Sequence, residues 1–341
     1  MKTSDILKYR SAWLGFAMLW IVWCHLGIYF TFYPIAFVKN IGYGGVDICL
    51  LASGMGCYFS LRKDSSLIGF YKRRVARLFP TWLCFVVVWI LWRSLSGQLP
   101  ASAILGNLLG IQGWTGLGND FNWYIGALFM FYLLSPLLKE IDDSIKNTRQ
   151  CVLTLGIMLV LTVPFWNSGS YIISITRLPV YFIGMLFGKY FSAEREVTPK
   201  TVVCFVAMAF VGACLLLAAH RCLEAYLWSH GLYWYPFMLI APGICVTLSY
   251  ILHVLQNNII GRFLMGFLSF LGKYSFEIYL VHAMLFEIIR YMITPLGWFA
   301  DTPILWLLSL PVIVVGCFGL HYATVLFTKL FVRQPRHKVT Q

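Results

Sequence analysis

The sequence predicts an all-α membrane protein, a polytopic bundle of about ten transmembrane helices. Of its 341 residues, 60% are hydrophobic, 17% are aromatic and only 11% are charged. The mean hydropathy is +0.77, which lies outside the range of soluble domains. Apolar runs long enough to cross a bilayer recur along the whole chain. We therefore expect one transmembrane domain over residues 1–341, with no appended soluble domain.

The basic residues predict the orientation of this bundle. The net charge is +13, but lysine and arginine concentrate in alternate connections, as the positive-inside rule requires. With the N-terminus inside, the outer connections hold only Lys39 and Arg221, with Arg93 near the end of a span. Membrane topology explains the charge without a nucleic-acid partner. We predict a multi-pass protein with both termini in the cytoplasm.

The cysteines do not indicate a metal or disulfide framework. Nine of the ten lie in apolar runs, and no CxxC pair occurs. Buried cysteines in such runs are typical of small packing residues. We expect no metal site.

The first predicted span, residues 12–33, contains His25. Almost all of the twelve residues before it are apolar. An ionisable side chain at membrane depth usually faces the bundle interior or a watery cavity, where it does chemistry or conducts protons. The alternative is a neutral imidazole that only hydrogen-bonds to a neighbouring helix.

The second predicted span, residues 44–61, has Asp47 at its outer end and Ser53 deeper along the helix. This carboxylate is expected to pair with a polar group, to orient His25 or simply to stay hydrated. Gly54 and Gly56 favour close packing of two helices.

The third predicted span, residues 78–94, follows the basic stretch FYKRRVARLFP. Arg74 and Arg77 are three residues apart and share one helical face. Guanidinium groups bind phosphate oxygens in a bidentate manner and stay charged at any working pH. The pair is therefore a candidate anion site at the cytoplasmic end, and the alternative is an anchor for anionic lipids.

The fourth predicted span, residues 121–138, begins with a cluster of amide and aromatic side chains. The cluster comprises Asn119, Asp120, Asn122, Trp123 and Tyr124. Tryptophan and tyrosine at this depth usually belong to the interfacial belt. Aromatic faces beside short polar groups are also typical of sugar sites, because the apolar face of a sugar ring stacks while its hydroxyls bind polar groups.

The six remaining predicted spans are 150–166, 172–191, 201–219, 232–254, 266–292 and 303–328. The span 266–292 carries Ser275, Tyr279 and His282 at i, i+4 and i+7. This spacing places three polar side chains on one stripe of an otherwise apolar helix. We predict that the stripe lines a cavity.

Four stretches together resemble the membrane-bound acyltransferase family 3, in the family's order and over nearly the whole chain. They are GFAMLWIVWCH, GVDICLLASG, FYKRRVARLFP and SFEIYLVH. The resemblance implies a roughly ten-helix protein of the bacterial cytoplasmic membrane. Such a protein moves an acyl group from cytoplasmic acyl-coenzyme A to an envelope carbohydrate or lipid-linked glycan. It implies His25 as general base, no bound cofactor, and acetyl-coenzyme A as the expected co-substrate.

The donor is expected at Arg74 and Arg77. The family usually has an arginine in the first span where this chain has Leu14, and Arg10, one turn earlier, is the candidate replacement. We expect a cavity on the acceptor side, formed by Asp47, Ser53, Trp123, Tyr124, Ser275, Tyr279 and His282. No SGNH-type esterase domain is expected. The alternative function is transport of a polysaccharide or lipid-linked sugar, for which no inverted repeat is evident.

Overall fold

The computed structural model describes residues 1–64, 66–114, 123–293 and 303–331. Within these ranges the chain is helical, and its only strand-like feature is an isolated bridge between Lys2 and Glu196. The helices are α1 (Thr3–Lys8), α2 (Arg10–His25), α3 (Tyr33–Asn40), α4 (Gly45–Lys63), α5 (Leu67–Leu95), α6 (Ala101–Leu108), α7 (Trp123–Ser144), α8 (Thr148–Val160), α9 (Ser170–Ile175), α10 (Leu178–Ser192), α11 (Pro199–Cys222), α12 (Phe237–Leu255), α13 (Ile259–Lys273), α14 (Ser275–Ile293) and α15 (Pro303–Phe331). The predicted all-α class is confirmed.

Among the described residues, eight helical segments are long and apolar enough to cross a membrane. The bent pair α13 and α14 adds a ninth if it counts as one span. Helix α2 has 16 residues, about 24 Å at the α-helical rise, which is short for a hydrocarbon core of about 30 Å. The polytopic membrane bundle predicted from composition is confirmed.

Several helices begin where a side chain accepts a hydrogen bond from a free backbone N–H. Ser66 Oγ accepts from the N–H of Gly69 at 3.1 Å before α5. Asn258 Oδ1 accepts from Ile260 at 3.0 Å before α13. Thr198 caps α11, whose first residue is proline. These residues fix the helix starts because the first four N–H groups of a helix have no partner within it.

Two close helix crossings bring the candidate site together. Where α4 crosses α10, a Cβ at Gly54 would stand 2.0 Å from the carbonyl oxygen of Tyr181, and one at Gly184 only 2.1 Å from a carbonyl of α4. Helices α2 and α13 meet in the same way at Gly15 and Gly272. Only glycine permits backbones to approach this closely. The packing role expected of Gly54 agrees with this crossing.

The structure corrects two predicted spans. The first span does not continue to residue 33, because α2 ends at His25 and the chain turns to extended backbone at Leu26. The span 266–292 is not one helix, because α13 and α14 bend by 70° at Tyr274. Both breaks lie inside windows whose average hydropathy is high enough for one span, so hydropathy windows do not detect them. They place His25 at a helix end and Ser275 at a corner of the bundle.

Candidate active site

Helix α2 ends with its last carbonyl groups bound to two cations. Lys39 Nζ donates to the carbonyl oxygen of Cys24 at 3.1 Å, and Arg290 Nη2 donates to that of His25 at 3.3 Å. Positive side chains suit this end of a helix, because its free carbonyls carry partial negative charge. The contacts hold the last turn of α2 against α3 and α14, and thereby fix the position of His25.

His25 meets a second imidazole at this end of the bundle. Its Nδ1 lies 2.9 Å from the carbonyl oxygen of Ile21 and 3.3 Å from Nε2 of His282. The Nδ1 of His282 lies 2.8 Å from the carbonyl oxygen of Ile278. A carbonyl only accepts, so each neutral ring carries its proton on Nδ1 and has its lone pair on Nε2.

In this arrangement the two rings differ in whether a lone pair is free to accept a hydrogen bond. Both nitrogens of His282 are engaged, one with Ile278 and one with His25. The described residues provide no hydrogen-bond partner for Nε2 of His25, and the His25 side chain is exposed to a cavity. His25 is therefore the ring of the pair whose lone pair is available to a substrate.

The cavity beside His25 is large and mostly aromatic. Its volume is about 680 Å³, within the usual range for small-molecule sites. Its walls are Cys24, His25, Asn40, Tyr43, Val46, Trp123, Ile173, Arg177, His220, Trp228, Tyr233, Trp234, Tyr279, His282 and Ala283. We call this space the histidine cavity. Flat aromatic rings beside scattered polar groups match the surface of a sugar.

Asp47 lies behind this wall and pairs with an arginine rather than with His25. Its Oδ1 is 3.4 Å from Nε of Arg177, and both side chains are fully buried. The Arg177 guanidinium also lies over the rings of Trp123 and Trp234, at 4.6 and 4.9 Å from their centroids. Charge neutralisation and stacking together permit an ion pair at this depth. The pair holds Trp123 and Trp234 in place as cavity walls.

A second cavity, of about 210 Å³, contains the three candidate donor arginines Arg10, Arg74 and Arg77. We call it the arginine cavity. Arg74 Nη2 donates to the carbonyl oxygen of Gly56 at 2.8 Å, and Arg10 Nε to that of Ala52 at 3.2 Å. No described carboxylate lies within ion-pair distance of these guanidiniums. Uncompensated positive charge of this kind makes the cavity a candidate anion site.

The glycine at position 56 is part of this candidate anion site rather than of a helix crossing. A Cβ at Gly56 would stand 3.5 Å from Nη2 of Arg10 and 3.9 Å from Nη1 of Arg74. The missing side chain leaves room for both guanidiniums beside α4. Leu14, where the family has its arginine, lines the same cavity one turn after Arg10. Arg10 and Leu14 therefore line one cavity, and replacement of the family arginine by Arg10 stays a prediction.

The polar stripe of α14 runs through both cavities. Ser275 lines the arginine cavity and His282 the histidine cavity, while Tyr279 lines both. The geometry agrees with the prediction that the stripe lines a cavity, but the stripe lines both cavities and not the acceptor side alone. Ser53 and Tyr124, also expected on the acceptor side, lie in the arginine cavity with Ser275. The stripe reaches both cavities because seven residues of helix span about 10 Å, which is enough to pass from one cavity to the next.

The sequence reasoning missed several walls of the histidine cavity. Arg177 was detectable, because an arginine inside a predicted span needs a partner, and Asp47 was available. His220 and the aromatic residues of the connection between α11 and α12 gave no such signal, because they lie far from His25 in the chain. The predicted cluster members Asn119, Asp120 and Asn122 lie outside the described residues.

Comparisons place the chain in a family. No curated protein and no solved structure matches it. A family model described as "Acyltransferase domain" matches residues 15–322, which includes most of α2, all of α4, α5, α7 and α14, and both cavities except Arg10 and Leu14. A match over nearly the whole chain shows that this protein is an integral-membrane member of acyltransferase family 3.

Proposed function

We propose that this acyltransferase moves an acyl group, acetyl in the first instance, from cytoplasmic acyl-coenzyme A to a hydroxyl of an envelope glycan. The observation that carries the proposal is the meeting of two unlike cavities at Tyr279. One holds uncompensated arginines, and the other holds a histidine with a free nitrogen. An anionic donor would suit the first cavity, and a hydroxylated acceptor would suit the second.

The donor side of the proposal rests on charge. Arg10, Arg74 and Arg77 would hold the phosphates of coenzyme A, which are anionic and suit guanidinium groups. Lys273 and Glu277 also line this cavity, so its net charge stays positive. Arg10 and His25 are fifteen residues apart on α2, about 22 Å along the helix axis. The pantetheine arm would cover that distance and bring the thioester toward His25.

The acceptor side rests on the shape and chemistry of the histidine cavity. A sugar ring would stack on an aromatic wall such as Trp123 or Trp228, with its hydroxyls toward Asn40 and His220. One hydroxyl would then reach Nε2 of His25. A cavity with aromatic walls and a few well-placed polar groups fixes the orientation of a ligand in this way.

His25 would act as the general base. Its Nε2 takes the proton of the acceptor hydroxyl while the oxygen forms a bond to the acyl carbon. The carbon–sulfur bond breaks, and the imidazolium returns the proton to the departing thiolate. Throughout, Nδ1–H keeps its bonds to Ile21 and to the lone pair of His282, which stabilise the positive ring. Proton transfer by a positioned histidine contributes about 10²–10⁴-fold to such a rate.

Mass spectrometry of envelope glycans from cells with and without the protein tests this function. We expect a glycan fragment that is heavier by one acyl group only when the protein is present, and the mass difference names the acyl group and the sugar. Identical glycan profiles would refute the proposal, and loss of a whole glycan from the surface would favour transport instead.

The proposed orientation has its own test in reporter fusions. A cytoplasmic reporter should be active after Lys63, at the end of α4, and inactive at Asp120. An active fusion at Asp120 would place the arginine cavity on the wrong side for a cytoplasmic donor. The donor assignment would then fail even if acyl transfer is observed.

A further inference from the structure

We propose that Tyr279 is a gate between the two cavities, one that admits short acyl groups, excludes long ones and keeps water from the donor thioester. This inference rests on the proposed function, because it concerns how the acyl group passes from donor to acceptor. It assigns to Tyr279 a role distinct from that of the base.

The position of Tyr279 carries the argument. Its side chain is 5% exposed and lines both cavities. Its ring packs against Tyr124 at a centroid distance of 4.7 Å, and Tyr124 lines the arginine cavity. The Tyr279 ring also packs against His282 at 5.8 Å, and His282 lines the histidine cavity. The ring therefore stands between the donor site and the base.

The walls on the donor side explain why the gate selects by size. The arginine cavity has only about 210 Å³, and three guanidiniums and Glu277 form part of its lining. A long hydrocarbon tail gains nothing from contact with such groups, since burial against charge lacks the gain of apolar burial. An acetyl group needs only a rotation of the Tyr279 ring to reach His25. An octanoyl group needs the Tyr279 ring to stay displaced while the whole tail passes.

The same ring separates the thioester from water in the histidine cavity. Premature entry of water would hydrolyse the donor without an acceptor, and exclusion of water is a general means to prevent such a side reaction. Removing the ring should therefore raise hydrolysis and relax size selection together. No change in fold stability alone would produce both effects.

The test uses purified protein in lipid nanodiscs with acetyl-, butyryl- and octanoyl-coenzyme A. Glycan extracted from cells that lack the protein is the acceptor, and release of free thiol without glycan measures hydrolysis. We expect the parent to prefer acetyl over octanoyl at least tenfold. Tyr279→Ala should bring that ratio within threefold and raise hydrolysis at least fivefold. Tyr279→Phe should keep both parent values, because the ring and not the hydroxyl is the barrier.

Two further variants keep the test decisive. Tyr279→Leu fills more of the space than alanine, and it replaces Tyr279→Ala if the latter does not fold. Tyr250→Ala makes the same truncation on α12, outside both cavities, and should leave the octanoyl-to-acetyl ratio unchanged. A ratio measured within one variant does not depend on how much protein is folded.

The outcomes separate the gate from the proposed function. If the parent transfers acetyl but uses octanoyl equally well, or if Tyr279→Ala keeps the parent ratio and hydrolysis, the gate is refuted and the function stands. If the parent transfers no acyl group to the glycan, the proposed function fails and the gate fails with it.

Discussion

Loss of His25 should lower kcat far more than loss of His282. His25→Gln keeps a polar side chain but cannot accept a proton at neutral pH. It should lower kcat by about 10²–10⁴-fold, the usual contribution of a general base. The contact of His282 with His25 is a single hydrogen bond of 3.3 Å, which Nε2 of His282 accepts. A net hydrogen bond contributes about 0.5–1.5 kcal/mol, so His282→Phe should cost roughly two- to tenfold at 1.36 kcal/mol per factor of ten.

The structure also supplies the controls for this prediction. Phenylalanine at 282 keeps the ring contacts with Tyr279 and Phe286, so packing is largely retained. His282→Gln restores an acceptor oxygen and should recover most of the parent rate. His230→Phe, on the connection between α11 and α12 and outside both cavity linings, should have no effect on kcat.

The assay is acyl transfer to the extracted glycan at saturating donor, normalised to folded protein. Equal losses for His25→Gln and His282→Phe would refute the assignment, because the two rings would then act as one unit. A larger loss at His282 would make that ring the base and leave His25 as its support.

Three other predictions follow from the packing, the anion site and the N-terminal helix. Gly54→Ala should destabilise the protein by about 1–3 kcal/mol or more, since its Cβ meets a backbone oxygen at 2.0 Å. Gly266→Ala should not destabilise the protein, because nothing lies within 4 Å of its Cβ. Equal thermal unfolding temperatures of the two variants in detergent would contradict the prediction. Arg74→Lys should weaken coenzyme A binding about tenfold or more, because a charge-assisted hydrogen bond contributes about 1.5–3 kcal/mol; an unchanged Kd by calorimetry would show that Arg74 is a topology anchor. The Lys8 ammonium holds the pKa of Asp5 below its ordinary value, so this carboxylate stabilises α1 fully above its ordinary pKa and the effect is lost as pH falls through the lowered one. Hydrogen exchange in α1, corrected for intrinsic rates, should accelerate on acidification in the parent but not in Asp5→Asn, and matching profiles would refute the linkage.

Composition and long apolar runs predicted the class and most spans, because bilayer thickness requires such runs however the helices pack against one another. They did not predict where an apolar run bends. The turn after His25 is held by contacts from other helices, with Lys39 on the carbonyl of Cys24 and Arg290 on that of His25. Those contacts are tertiary and leave no trace in a local window.

The candidate site was predictable to the extent that its residues follow helical spacing. Ser275, Tyr279 and His282 do share one face, and Arg74 lies in the same cavity as Arg77. The spacing could not tell which cavity each residue enters, because that depends on depth along the axis and on the neighbouring helix. Arg177 shows the same limit: its position inside a predicted span indicates that it needs a partner, but only the fold shows that Asp47 of α4 is that partner.

The division of the bundle into two cavities also explains why the site is built on α2 and α14 together. Helix α2 carries Arg10 at one end and His25 at the other, so one rigid rod sets the distance between the proposed donor site and the proposed base. Helix α14 lies beside that rod and places Tyr279 between the two sites. The close crossing of α2 and α13 at Gly15 then holds the bent α13 and α14 pair against the rod. A site assembled on helices in close contact keeps its geometry better than one on loops, and this precision suits the proposed reaction, whose two substrates would arrive from opposite sides.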